Sequence, residues 1–351
     1  MKYFILVPEI KKCGPLNVVK NLVTSEEFSG IEVFICAIRK NKDIIFQNEF
    51  SEYENIKIIF LADGGLFNKF LSFKEKLNDI NPDVIHANGF FPDIFSAFLS
   101  SKIKKITTIH NIIYQDYFSR YKVKGFFFSI FHYLILNFST YYKILGCSES
   151  VSKSLKKFIF FKEISYVNNG VDVKEFKKLS IDERNMIRTR LSINKDTILL
   201  VFCGGVEPVK RVPSLISEYI NTLEDLNYIL YIIGDGPDLK KIVESEKVIK
   251  IGNVEDPKCY LQAADIIISN SSSEGYPMAI LEALACGCKA FLSDIPSHEY
   301  IMSKYPKLAY SISSFNAVNI KKCLSNQITE SELKSISSDT MAVNYLSNIV
   351  G

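Results

Sequence analysis

The chain has 351 residues, 47% of them hydrophobic and 23% charged, with a formal net charge of +3. That length and apolar fraction exclude a disordered chain and leave room for two domains. The small net charge hides an asymmetry: residues 1–180 carry 25 Lys/Arg against 18 Asp/Glu, the rest 17 against 21, and residues 101–162 hold eleven basic residues against Asp116 and Glu149 alone. A basic face of this kind suits an anionic membrane or a phosphorylated lipid. No nucleic-acid motif accompanies it, so nucleic acid is not an expected partner.

In chain order, short apolar runs at 3–7, 31–38, 56–60, 82–86, 105–109, 142–147 and 164–167 read as buried parallel strands. A helix is expected from Leu16 after the turn 13–15, and another over 148–158. Asn168-Asn169-Gly170-Val171-Asp172 is a loop signal, and a polar segment with a helix at 183–191 follows it. The pattern restarts with strands at 198–202, 228–233, 248–251, 265–269 and 289–292, and ends in a helical tail over 331–350. Such alternation predicts an α/β protein with parallel sheets and a boundary near 172–190.

The most apolar stretch, 125–138, is 14 residues long, short of the roughly 20 that a spanning helix needs. A buried core helix is the default reading. A helix lying in a membrane interface is the sharper one, with Lys122, Lys124 and Lys143 at its flanks. The eight cysteines form neither a paired framework nor a zinc spacing, as in a reducing cytoplasm. No signal peptide is expected, because residues 1–8 are too short and Lys11-Lys12 follow on the wrong side. Lysine outnumbers arginine 36 to 6, the composition of an AT-rich bacterial gene.

Two segments of the second half carry chemistry. Gly204-Gly205-Val206-Glu207-Pro208-Val209-Lys210-Arg211 follows a strand, and a glycine-rich strand end leading into a helix cradles phosphate. Lys210 would supply a mobile positive charge for a diphosphate. Ser273-Glu274-Gly275-Tyr276-Pro277-Met278-Ala279-Ile280-Leu281-Glu282 reads as strand end, tight loop and helix start, with Glu274 at the junction and Glu282 about a turn into the helix. A helix start favours an anion, and carboxylates accept hydrogen bonds from sugar hydroxyls, so phosphate and saccharide chemistry converge here. No Asp-x-Asp occurs, so neither a metal clamp for a sugar nucleotide nor any other metal or cofactor is expected.

The Glu-x7-Glu spacing, within the run 264–296, resembles the signature of retaining glycosyltransferases of the GT-B class, family 4 (glycosyl transferases group 1), of the type that builds bacterial surface polysaccharide. The resemblance implies two Rossmann-like domains facing across a cleft. These are an acceptor-side domain over 1–175, a nucleotide-sugar domain over 176–334, and a C-terminal helix over 335–351 packing back on the first domain. It casts His110, in Thr107-Thr108-Ile109-His110-Asn111, as the residue facing the reaction centre, with Asp116 as an alternative base. His86 and Asn88 read as structural or acceptor-facing.

Glu274 would then hold the donor's sugar hydroxyls and Glu282 its ribose diol. Lys210, the helix from Met278, and Gly14 of Cys13-Gly14-Pro15 would hold the diphosphate. Gly204, Gly205, Gly234, Asn253, Val254, Gly275, Tyr276 and Pro277 complete the donor contacts. The family usually carries Arg where this chain has Gly205, and Arg211 is the residue available to replace it. The implied activity is metal-independent, retaining transfer of a sugar, most simply from UDP. Its acceptor would be a hydroxyl of a lipid-linked oligosaccharide in O-antigen or capsule synthesis, on the inner face of the plasma membrane. A sugar-nucleotide epimerase of similar architecture and a non-catalytic partner protein are the alternatives.

Overall fold

Strands buried on both faces read as unbroken apolar runs, and parallel neighbours need a crossover between them. The computed structural model, which describes residues 1–40, 43–223 and 226–350, follows that rule through two compact units: residues 1–170 with 338–351, and residues 171–337. Gly351, the last residue of the expected C-terminal segment, lies outside the described residues.

The first unit runs β1 (Lys2–Val7), α1 (Gly14–Val23), β2 (Glu32–Ala37), α2 (Ile44–Ser51), β3 (Ile56–Phe60), α3 (Leu66–Ile80), β4 (Val84–Asn88), α4 (Phe90–Ser96), β5 (Lys104–Ile109), α5 (Ile113–Tyr121), α6 (Val123–Phe138), β6 (Lys143–Gly146), α7 (Glu149–Leu155) and β7 (Ile164–Tyr166). Its seven strands are all parallel, in the order β3-β2-β1-β4-β5-β6-β7. The second unit runs α8 (Ile181–Arg190), β8 (Ile198–Cys203), α9 (Val212–Glu218), β9 (Tyr228–Ile233), β10 (Val248–Gly252), α10 (Lys258–Ala263), β11 (Ile266–Ser269), α11 (Met278–Ala285), β12 (Lys289–Leu292), α12 (Pro296–Lys304), β13 (Ala309–Ser311), α13 (Ala317–Cys323) and α14 (Glu330–Ser335). Its six strands are also parallel, in the order β10-β9-β8-β11-β12-β13.

The expected strands all form, with ends shifted by one or two residues. The single tail helix over 331–350 does not. The chain makes α14, breaks at Ile336 and Ser337, and then forms α15 (Ser338–Val350), which belongs to the first unit. There the Tyr345 hydroxyl meets Thr108 Oγ1 at 3.0 Å, and Asp339 accepts from the Glu26 amide at 3.2 Å. In the second unit Arg188, 2% exposed, donates to the carbonyls of Ala263 and Asn194 at 2.9 Å and pairs with Asp265 at 3.2 Å. Asp265 also takes Arg184 at 2.6 Å and the Leu199 amide at 2.8 Å. A buried charge is tolerable when it is satisfied in this way, and the cluster ties the beginnings of β8 and β11 together.

The apolar run 125–138 is not a wholly buried core helix. In α6 the buried positions include Gly125, Ser129, His132 and Asn137, while Phe126, Phe127, Ile130, Phe131, Leu134 and Phe138 are exposed. Among the described residues no helix is long and apolar enough to cross a membrane. Lys122 takes a left-handed φ of 53° between α5 and α6, and the two helices fold against each other. Gly125 makes that approach possible, because a Cβ there would stand 2.0 Å from the carbonyl oxygen of Tyr117. Gly125→Ala must therefore push α5 off α6. We expect a loss of about 1–3 kcal/mol in stability, read as a lower unfolding midpoint by calorimetry. An unchanged midpoint would contradict this packing.

Candidate functional site

In a doubly wound sheet the strand order reverses at one point, and the loops leaving the neighbouring strand ends diverge to open a crevice. The first sheet reverses between β1 and β4, the second between β8 and β11. The residues singled out in the sequence gather beyond these strand ends, in each unit separately.

In the first unit a cavity of about 300 Å³ opens beyond β1, β4 and β5, lined among others by Glu9, Asn88, His110, Asp116, Tyr117 and Arg120. His110 Nε2 lies 2.9 Å from Asn88 Oδ1. Burial lowers the His110 pKa to about 4, so the ring is neutral at pH 7. Its Nε2–H then donates to the Asn88 oxygen, and Nδ1 keeps a lone pair. Neither His110 Nδ1 nor Asn88 Nδ2 finds a partner among the described residues, although both are buried. Two residues that line the cavity thus keep an acceptor and a donor uncommitted. Asp116 is engaged by Arg120 at 3.1 Å and Asn111 at 3.3 Å, which counts against it as a base. His86 is structural: buried between the Tyr3 hydroxyl at 3.0 Å and Thr108 at 2.8 Å, with its pKa pressed to about 3 by burial and by His110. Gly14 opens α1, with nothing in its own unit within 4 Å of where a Cβ would stand.

In the second unit Lys210 ends the short turn Pro208–Lys210 beyond β8, and Glu274 lies in the loop between β11 and α11. Ser272 clamps the two segments through its amide, 2.8 Å from the Val209 carbonyl, and its hydroxyl, 3.0 Å from the same oxygen. The clamp brings the Lys210 ammonium onto Glu274 Oε1, which also accepts from Ser271 Oγ at 2.8 Å. Burial, the largest single influence, raises the Glu274 pKa, but the Lys210 charge, His298 and the hydrogen bonds from Lys210 and Ser271 together outweigh it and the net shift is downward.

The rest of the second-unit set spreads around this pair. Gly204 and Gly234 touch back to back, because a Cβ on Gly234, with φ at +129°, would lie 2.0 Å from the Gly204 carbonyl oxygen. Gly205 follows in the same turn, and Arg211 is exposed with a left-handed φ of 50°. Asn253 is exposed and Val254 half-buried, just past β10. Gly275 is buried and Pro277 caps α11. Tyr276 and Met278 put their side chains in the core, so only their backbone faces the loop. Glu282 lies in α11, 5% exposed.

Lys143, expected on the basic flank of α6, is instead on β6, ion-paired with Glu163 at 3.0 Å and 11% exposed. It belongs to an interior strand of the sheet, not to a free basic surface.

Three polar residues escaped the sequence reading. Asp93 of α4, His132 of α6 and Tyr117 of α5 join beside the first-unit cavity, with Tyr117 and His132 in its lining. The available signal was a lone acid in Phe90-Phe91-Pro92-Asp93-Ile94-Phe95 and a lone histidine in Phe131-His132-Tyr133-Leu134. Polar groups set in apolar runs must find partners. In the second unit His298 is also buried near Glu274, its pKa lowered to about 4 by burial.

Comparison with known proteins bears on the whole chain. A family model described as Glycosyltransferase Family 4 matches residues 17–175, and one described as Glycosyl transferases group 1 matches residues 197–313. The Escherichia coli O-antigen biosynthesis glycosyltransferase WclY is 28% identical over 318 residues, covering 84% of this chain and 81% of that protein. The Escherichia coli UDP-Gal:alpha-D-GlcNAc-diphosphoundecaprenol alpha-1,3-galactosyltransferase is 28% identical over 145 residues, 38% of this chain and 37% of that one. Among solved structures, Anabaena HepE in complex with UDP-glucose superposes with a TM-score of 0.74 at 13% identity, covering 99% of this chain and 95% of that one. With two parallel Rossmann-like sheets and both halves matched, the chain belongs to the family 4, group 1 glycosyltransferases and has their GT-B fold.

Proposed function

We propose that the protein transfers a sugar from a nucleotide diphosphate, most simply UDP, to a hydroxyl of a lipid-linked saccharide, with retention at the anomeric carbon and without a metal. The convergence of Lys210 and Glu274 on one clamped loop pair carries this reading. Lys210 neutralises the departing diphosphate, assisted by the start of α11 and the Gly204–Gly205 turn. Glu274, held ionised, accepts hydrogen bonds from the donor's sugar hydroxyls, and Glu282 serves the ribose. His110 and Asn88 orient the acceptor hydroxyl. That oxygen bonds to the anomeric carbon on the face from which the diphosphate leaves. The hydroxyl proton passes to the departing phosphate oxygen, and no covalent enzyme intermediate forms. The absence of Asp-x-Asp motivates the metal independence.

Surface-polysaccharide synthesis is the setting this reading favours, from the likeness to WclY, and the likeness to the diphosphoundecaprenol galactosyltransferase favours a lipid-linked acceptor. The first unit has a surface suited to such a lipid. Ile130, Leu134 and Phe138 on the exposed side of α6 line a groove of about 300 Å³ with Phe158, Phe160 and Phe161. Lys122, Lys124, Lys156 and Lys157 stand exposed in the flanking sequence. The two acids of this window already face basic partners, Asp116 with Arg120 and Glu149 with Lys153. An apolar strip with a net positive border matches an anionic leaflet, which supports a peripheral position on the cytoplasmic face of the membrane.

Three outcomes are expected. UDP release from one member of a UDP-sugar panel, with chelator present, requires bacterial lipid extract and falls at least about a hundredfold in Glu274→Ala. Release that needs no acceptor, or that survives the substitution, overturns the transfer reading. Lys122→Glu with Lys124→Glu weakens sedimentation with anionic vesicles by at least about tenfold, whereas equal pelleting removes the electrostatic part of docking.

The third outcome concerns pH. A histidine whose folded pKa is depressed is neutral above that value and gains charge as pH falls through it. His110 therefore keeps its acceptor lone pair from pH 8 down to about 5, and kcat/KM shows no inflection near 6.5 that His110→Gln abolishes.

A further inference from the structure

Beside the first-unit cavity, three side chains from three helices form a chain of hydrogen bonds that the proposed reaction has not used. Asp93 is fully buried and His132 is 2% exposed. Tyr141 donates its hydroxyl to Asp93 Oδ1 at 2.7 Å, which commits that oxygen. The other oxygen, Oδ2, lies 2.8 Å from His132 Nε2, and His132 Nδ1 lies 2.9 Å from the Tyr117 hydroxyl. The rings of His132 and Tyr117 are stacked at 12°, with Phe90 edge-on to both.

The directions of these bonds follow from elementary chemistry. An ionised carboxylate only accepts, so the proton of the imidazole sits on Nε2, facing Asp93. In the neutral imidazole Nδ1 is then an acceptor and takes the Tyr117 proton. The phenol, whose proton is committed, offers only oxygen lone pairs to whatever else approaches it. Burial and the nearby Asp93 and Asp116 carboxylates hold the phenol proton on, so the oxygen does not become a phenolate.

We infer that Asp93 and His132 fix the polarity of Tyr117, making it an acceptor on the cavity wall that binds a donating hydroxyl of the saccharide acceptor. Asp93 and His132 are positioning residues, since they act through Tyr117. The inference rests on the glycosyl-transfer reading for the identity of the ligand. It goes beyond that reading in assigning a second hydroxyl contact, separate from the one at His110 and Asn88. Two hydroxyl contacts on one wall orient a sugar ring, where one would leave it free to pivot.

A near-isosteric substitution reverses the relay. In Asp93→Asn the arrangement that keeps the Tyr141 hydroxyl donating to the side-chain oxygen turns the amide NH2 toward His132. Nε2 must then accept, the imidazole proton moves to Nδ1, and Nδ1–H donates to the Tyr117 oxygen. Tyr117 is left with its proton free and one lone pair taken, so a saccharide hydroxyl meets a donor where it needs an acceptor.

The first arm of the test needs no activity. The chain has four histidines, His86, His110, His132 and His298, so the ring nitrogens of 15N-histidine-labelled protein can be resolved by NMR, with His132→Gln assigning the signal. We expect the Nε2–H tautomer in the wild type and Nδ1–H in Asp93→Asn. A wild-type Nδ1–H tautomer, or no change in the variant, overturns the relay.

The second arm uses the UDP-sugar selected by the release assay and lipid extract as acceptor. Asp93→Asn and Tyr117→Phe should each raise the acceptor KM by up to about tenfold, the worth of one hydrogen bond. The donor KM stays unchanged, and the double variant is no worse than Tyr117→Phe alone, because the two act through one atom. Additive losses, or a donor KM that moves with them, would mean a merely structural role. Should Asp93→Asn fail to fold, the wild-type tautomer and Tyr117→Phe still decide. If the wild type shows no acceptor-dependent release, the transfer reading fails on its own, while the NMR arm still settles the relay.

Discussion

Every strand of both sheets is parallel, and that single constraint shapes the rest of the molecule. A parallel sheet must be covered on both faces by its crossovers, so its strands are mostly apolar. It also directs all strand C-termini to one edge, where the chain leaves for the next helix. The polar residues of the candidate sites collect at and beyond that edge, Asn88 at the end of β4 among them. The break in strand order then separates two neighbouring loops and leaves room between them. Each unit repeats this arrangement, with Asn88 and His110 in the first and Lys210 and Glu274 in the second.

The two edges differ in electrostatic character. In the second unit an ammonium and a carboxylate meet directly, and this pair together with His298 and Ser271 lowers the Glu274 pKa despite burial. Such a pair can be divided by a ligand carrying both negative charge and hydroxyls. In the first unit burial holds His86 and His110 neutral, and the chemistry there is that of directed hydrogen bonds. Neutral donors and acceptors such as those of His110 and Asn88 discriminate by geometry, which suits an uncharged hydroxyl. The charged cluster of Arg184, Arg188 and Asp265 lies at the opposite edge of the second sheet and serves stability alone.

The α5–α6 hairpin links cavity and surface. Its inner face supplies Tyr117 and His132 to the cavity wall, and the outer face of α6 presents phenylalanines to solvent. Gly125 sets how closely the two helices approach, so one backbone contact bears on both. The polar residues on the buried side of α6 explain why its apolar run exceeds what a core helix requires. The surplus faces outward, and such a patch marks an interaction surface.

Much of this was legible in the sequence, because it depends on local pattern. Apolar runs of four to six residues separated by helical segments specify parallel strands. The loop carrying Glu274 and the turn carrying Lys210 follow strand ends directly, so their place at the sheet edge is determined by chain order. The relation between distant segments was not legible. That Ser272 clamps Val209, that Asp93 finds His132 thirty-nine residues away, and that Lys143 pairs with Glu163 in the sheet are outcomes of packing. Nor does an apolar helix pattern say which side is covered, since hydrophobicity alone cannot tell a residue in the core from one held for a partner. The sequence by itself determined the elements and the chemical types available at each strand end. Only the tertiary structure decided which of those groups meet, because hydrogen bonds and ion pairs act over a few ångströms and residues far apart in the chain come that close only once the sheets have formed.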